Sequence, residues 1–452
     1  FLAEESSSPT RRRLVAALRA RFPRAIWAEY EPVTDEPPVA AAQAAFGSAV
    51  KPLYHFAKAK RILSVEADFL QSEAGSLSHA RGFSQGRRVT KKEDPMNRLY
   101  VAESGLSLTG SMADHRLRLA SSHALAFVAK LASVLAPQAA ERLAPYTQGL
   151  TSPQKWIDEC AADLLANKGA SLVVAGAHLP AEVHVLVHGI NSVIEAAGST
   201  VTYVPAETTP GVTTLAGLVS ALKSGSIKTL VVLGGNPVYN APADIDWAAL
   251  QKAVPEVIRL GYYVDETSAL NPAATTHLSR AHYLESWGDA RAIDGTVLPV
   301  QPMILPLFGG VSDLEVIARL AGEKGDAYAL VSATIAGLAG RAASTEATMA
   351  RFLHDGVLAG SAYAPIAVKF NPEAAARLLG TAKAATAFSA SNLEVRFVTD
   401  AKMDDGRFAN NGWLQECPDP ITKISWDNAI LVSPKLGKEL GIDPAGSLIQ
   451  VA

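Results

Sequence analysis

Cysteine is almost missing from this sequence. Cys160 and Cys417 are the two present in 452 residues. They lie outside any CxxC or CxxxC pattern, so this stretch cannot by itself ligate an iron–sulfur cluster or a cysteine-rich zinc ion. Two thiols neither require nor exclude an oxidising compartment, because the disulfide signal belongs to small cysteine-dense domains. Long apolar runs are also lacking: none approaches the roughly 20 residues needed to span a bilayer. The opening FLAEESSSPTRRRL has no apolar core of a signal peptide, so any export signal is expected to have been removed. The formal charge is −3 with Lys and Arg dispersed, which gives no electrostatic footprint for nucleic acid. HExxH and GxSxG are absent, and SLSHARG at 76–82 carries Ser and His without a nucleophile elbow.

What is present is a chain long enough for two or three cores, with short apolar runs alternating with amphipathic segments. That alternation predicts parallel α/β architecture. Strands are expected at Ile62–Val65, Arg98–Ala102, Ser171–Ala175, Thr200–Val204, Thr229–Leu233 and Val257–Val264. Helices are expected at Ser121–Leu135, Lys155–Asn167 and Pro180–Ala197, the last opening on a proline whose missing N–H costs nothing there. The stretch 171–264 reads as one doubly wound unit with a ligand edge at the carboxyl ends of its strands. From Asn410 the texture changes to short strands, turns and one short helix, KLGKELG, as though the chain were cut inside a β-domain.

On the predicted ligand edge, TLVVLGGNPVYNAP places Gly234, Gly235, Asn236 and Pro237 after a strand. Two glycines allow close backbone approach, Asn236 offers hydrogen bonds, and Pro237 fixes the exit; a plain strand-to-loop turn has the same composition. His184 and His188, four apart with His178 before them, share a helix face, but no third ligand stands at a convincing spacing, which favours ordinary helix histidines. The Arg81, Arg87, Arg88, Lys91 and Lys92 cluster reads as a solvated charged loop. ETS at 266–268 and RAHYLESWGDARAIDGT at 280–296 either line a cleft or turn the chain, and pattern alone leaves both open.

Taken in order, LGGNP at 233–237, VDETS at 264–268, THLSRAHYLESWGD at 276–289 and AIDGTVLPVQP at 292–302 resemble the molybdopterin-dinucleotide oxidoreductases of the dimethyl-sulfoxide-reductase superfamily. KRILSVEADFL at 60–70, SMADHRLRL at 111–119 and the closing LVSPKLGKELGIDPAGSLIQV extend the match over nearly the whole chain. NRLYVAESGLSLTGSMADHRLRL with NNGWLQECPDPITKISWDN is similar to the molybdopterin-like iron–sulfur subunit of alternative complex III, a bacterial membrane-bound quinol oxidoreductase.

The resemblance implies a molybdopterin-oxidoreductase-like α/β fold with two parallel-sheet domains and the start of a C-terminal β-barrel. The implied division is 1–125 and 285–395 for one α/β domain, 126–284 for an inserted dinucleotide-binding-like domain, and 396–452 for the truncated barrel. It places Gly234, Gly235, Asn236, Pro237, Asp265, Glu266, Thr267 and Glu285 at an ancestral cofactor pocket. The family's cluster cysteines and its Cys or Ser metal ligand have no counterpart here, where the stretch reads AEYEPVTDEPPVAAAQAAFG. The expectation is therefore a non-catalytic scaffold without molybdenum. It would sit on the periplasmic side of the bacterial membrane beside a quinol-binding membrane subunit and haem c subunits, with iron–sulfur clusters in a further C-terminal region. The competing expectation is an active enzyme holding molybdopterin guanine dinucleotide, with Asp35 as the molybdenum ligand. A stand-alone nucleotide-binding module is the third.

Overall fold

The computed structural model describes the chain except residues 35, 151, 208, 210, 341–343, 384–387, 389–391 and 444–452. Its strands are β1 (Leu2–Ala3), β2 (Ala28–Glu29), β3 (Val50–Tyr54), β4 (Arg61–Val65), β5 (Arg98–Glu103), β6 (His115–Arg118), β7 (Ser171–Ala175), β8 (Val201–Pro205), β9 (Thr229–Leu233), β10 (Glu256–Gly261), β11 (Thr275–Ser279), β12 (Gly288–Arg291) and β13 (Val297–Val300). Two compact units share them. One comprises residues 1–34, 49–53 and 203–367, and the other residues 35–48, 54–202 and 368–452.

The first unit is built on a parallel sheet in the order β11-β10-β9-β1-β2. Alternation along β9 explains why both of its faces are covered. Val231 and Leu233 join Leu14, Leu18, Leu314, Ile317, Val331 and Phe352 in one core. Leu230 and Val232 join Leu215, Leu218, Trp247 and Val257 in another. A strand with apolar residues on both faces is buried on both, as parallel sheets require. The helix Asp313–Ala321 on the first face is fixed at both ends: Ser312 and Glu315 form a capping box, and Gly322 closes it at φ 83°. β12 and β13 form an antiparallel pair.

The second unit carries the parallel sheet β6-β5-β4-β7. Ile62, Leu63, Val65, Leu99, Val101, Leu172 and Val173 are all buried. The helix Gln154–Ala166 buries one apolar face, whereas Ala124–Leu135 and Ala181–Val193 are buried on more than one side, the latter from Val183 through His188. Because β5 and β6 lie on one side of β4 and β7 on the other, the strand order reverses at β4. Such a reversal is where open α/β sheets place a crevice, here at the carboxyl ends of β4 and β7.

The mixed α/β class with parallel sheets is as expected, and the strands expected from apolar runs form within a few residues of their predicted limits. Their partnerships differ. Residues 171–264 do not make one sheet: β7 joins β4 in the second unit, β8 pairs with β3, and β9 and β10 belong to the first unit. A strand's own sequence sets its faces, not which distant edge it joins. From 396 on, the described residues hold the short helices Gly412–Glu416 and Pro434–Glu439 and no named strand. The expected barrel is therefore not seen among them, since no segment there finds a ladder partner. No helix of the described residues is long and apolar enough to cross a membrane.

Candidate functional site

At the carboxyl end of β9 the chain turns through Gly234 and Gly235 at φ 76° and 65°, left-handed conformations that suit glycine. Pro237 then opens the short helix Pro237–Asn240. The next strand, β10, ends before Asp265, which caps the helical turn Glu266–Ala269 by accepting the Ser268 N–H at 2.9 Å. The structure thus brings Gly234, Gly235, Asn236, Pro237, Asp265, Glu266 and Thr267 together, as expected.

Their hydrogen bonds run among themselves. The Asn236 amide donates to Glu266 Oε2 at 2.6 Å and accepts the Thr267 hydroxyl at 2.6 Å. Thr267 Oγ1 in turn accepts the Val238 N–H at 3.2 Å. Beneath the loop lies Arg259, buried in β10. Its guanidinium donates to the Gly234 carbonyl at 3.1 Å, to the Gly235 carbonyl, and to Asp265 Oδ2 at 2.7 Å. Burial alone would push the Asp265 carboxyl up, but the Arg259 guanidinium and the Ser268 donors hold it below the usual range.

A further pair closes over the first glycine. A Cβ on Gly234 would collide with the Glu4 carboxylate and stand 2.6 Å from Arg280 Nη1. Arg280 donates to Glu4 Oε2 at 2.9 Å, faces Asp313 at 4.0 Å and stacks on Tyr262 at 5.1 Å.

Glu285 makes its bonds within its own loop. Its carboxylate accepts the His282 N–H at 2.9 Å and the Leu307 N–H at 3.0 Å, tying its own loop together. Those backbone donors, Leu307 first, hold its carboxyl below the usual range. Asp35 lies outside the described residues. His184 and His188 are buried rather than open to a metal, and loss of water drives them down to about 4 and about 3. The His188 ring packs on Phe46.

Sequence reasoning missed Arg259, Arg280 and Glu4. The available signal for Arg259 was a charge in the middle of the apolar run VIRLG, which must find a partner once buried. It also missed a group at the crevice of the second unit. There Glu66, at φ 51°, follows β4. Its buried carboxylate accepts the Ser104 N–H at 2.9 Å and the Ser121 hydroxyl at 2.6 Å, with His178 Nε2 at 3.0 Å and Arg396 at 3.6 Å. Burial raises that carboxyl, yet His178, Arg396 and the serines outweigh it and hold it at about 2. Gly176 is required here, since a Cβ would strike the Glu66 carbonyl.

The resemblance implies a pterin dinucleotide, whose diphosphate calls for cations and open backbone at the glycine loop. The residues present do not fit that group. The open face of Gly234 is taken by a carboxylate, both glycine carbonyls and Asp265 are engaged by Arg259, and Asn236 is spent on Glu266 and Thr267.

Comparison with known proteins agrees with the fold. No protein-family model matches the chain, and no curated protein sequence matches it. Among solved structures it is similar to acetylene hydratase from Pelobacter acetylenicus, at 12% identity and a TM-score of 0.56. The match covers 71% of this chain and 55% of that one, so the chain spans about half the length of that protein. The likeness shows the fold, consistent with molybdopterin-oxidoreductase-like architecture.

Proposed function

We propose that this chain is a molybdopterin-oxidoreductase-like scaffold, a non-catalytic subunit of a membrane-associated respiratory quinol oxidoreductase. The observation that carries the reading is the self-satisfied glycine loop: every side chain expected to hold a cofactor there is engaged by another side chain or by the loop's own backbone. A binding loop kept for a ligand leaves donors and charge to offer, and this one directs them inward.

A second observation supports docking. The loop after β13 presents Met303, Leu305, Leu307 and Phe308 at 76%, 85%, 70% and 86% exposure. Tyr262, Tyr263, Tyr283 and Leu284 are exposed as well. The two sets are joined where the Leu284 carbonyl accepts the Met303 N–H at 2.7 Å. Contiguous apolar surface of this kind marks an interaction site, and residues 295–312 contain no charged side chain to oppose burial. In this reading the quinol-binding membrane subunit and the haem c subunits are the partners, and electron transfer belongs to them and to cluster-bearing regions.

Elemental analysis of the purified protein tests the proposal. Molybdenum well below one atom per chain is expected; about one per chain would overturn the scaffold reading in favour of an active molybdenum oxidoreductase.

A further inference from the structure

The geometry points to Glu4 as an internal anion that seals the glycine loop, occupying with its carboxylate the face of Gly234 that a ligand phosphate would need. Three observations converge. Gly234 adopts φ 76° and has no side chain, leaving one open face of backbone, and Glu4 Oε2 lies against that face. The charge on Glu4 is met by Arg280, which donates to the same oxygen at 2.9 Å and itself packs where the Gly234 Cβ would stand. Arg280 is in turn held in place by Tyr262 and Asp313. A carboxylate bonded to an arginine beside a glycine turn reproduces, within one chain, the charge pattern of a bound phosphate.

The consequence is specific to charge. A phosphate brought to this loop meets a fixed carboxylate a few ångströms away, and at a partly buried site that repulsion is worth orders of magnitude in affinity. Neutralising Glu4 removes the negative charge nearest Gly234 and leaves the Arg280 charge less fully balanced there, available to an external anion. Asp265 stays bound to Arg259 and Asn236 to Thr267, so the uncovered site takes a small phosphate or diphosphate and no whole dinucleotide.

This deepens the scaffold reading, on which it rests for why the loop is closed, and its test is separate. Inorganic pyrophosphate is titrated by calorimetry into the wild-type protein and into Glu4→Gln, which keeps an oxygen for Arg280 to bond. The wild type is expected to show no binding at millimolar pyrophosphate. Glu4→Gln is expected to gain affinity on the order of a hundredfold and to lose it again when Arg280→Gln is added. Equal binding by wild type and Glu4→Gln overturns the seal, as does a folded Glu4→Gln that gains nothing. If Glu4→Gln does not fold, Glu4→Ser is read in the same way. Molybdenum in the wild-type protein would overturn the scaffold whatever Glu4 does, whereas failure of Glu4→Gln to gain binding overturns the seal alone.

Discussion

Arg259 grips Asp265 at 2.7 Å, and the same guanidinium reaches back to the Gly234 carbonyl at 3.1 Å. One buried cation therefore joins the turns that follow two adjacent strands. Removing it strands a carboxylate and two carbonyls in a site that water reaches poorly. Arg259→Met is expected to lower stability by about 3–5 kcal/mol, the range for breaking one side of a buried pair. Urea unfolding measures it, and Asp265→Asn, which keeps an acceptor for Arg259, is expected to cost less.

The two glycines should respond unequally. Alanine at either position pays for a left-handed backbone, roughly 1–2 kcal/mol. At Gly235 the nearest atom to a new Cβ is Glu4 Cγ at 3.6 Å, an ordinary contact. At Gly234 the Cβ collides with Glu4 and Arg280. Gly234→Ala is therefore expected to lower the melting temperature clearly more than Gly235→Ala, and equal effects would contradict the packing described.

Acid should weaken the second unit through its histidines. Burial holds His184 at about 4 and His188 at about 3, below an unfolded value near 6.5. The unfolded chain therefore binds more protons between those limits. Stability is complete above about pH 6.5 and falls as pH drops toward 4, by about 1.4 kcal/mol per pH unit for each histidine. His79, which burial also lowers to about 4, acts in the same direction. Melting temperature measured between pH 7 and 5 should show this slope, and His184→Gln should flatten it.

The apolar loop should matter for association and not for folding. Leu305→Asp combined with Phe308→Asp is expected to change unfolding free energy by no more than about 0.5 kcal/mol per site, as exposed positions do. On the scaffold reading, recovery of the chain with the membrane complex proposed for it should drop several-fold. Unchanged recovery would remove this loop from the docking surface.

Much of this was legible in advance, for identifiable reasons. β9 and β10 stand out because their apolar runs read as strands, and Asp265 because VDETS resembles the family's loop after a strand, while the cap it forms is seen only once folded. That the Glu285 carboxylate serves its own loop is something no spacing announces. β7 was assigned to the wrong sheet because its edge partner, β4, lies more than a hundred residues earlier. Glu4 and Arg280 were invisible because their meaning comes from lying together against a glycine, a relation that exists only after folding.

The position of β1 has a consequence for synthesis. Leu2 pairs with Val232 on one side and Ala28 on the other, so β1 is an inner strand whose β9 neighbour lies some 230 positions later. Contacts this distant in sequence raise contact order and slow folding. On the ribosome β1 has one edge unpaired until β9, some 230 positions later, has emerged, while the helices and strands between 54 and 202 can already collapse. β1 thus reaches its place only when β9 arrives, and a holding chaperone would find its open edge during that interval.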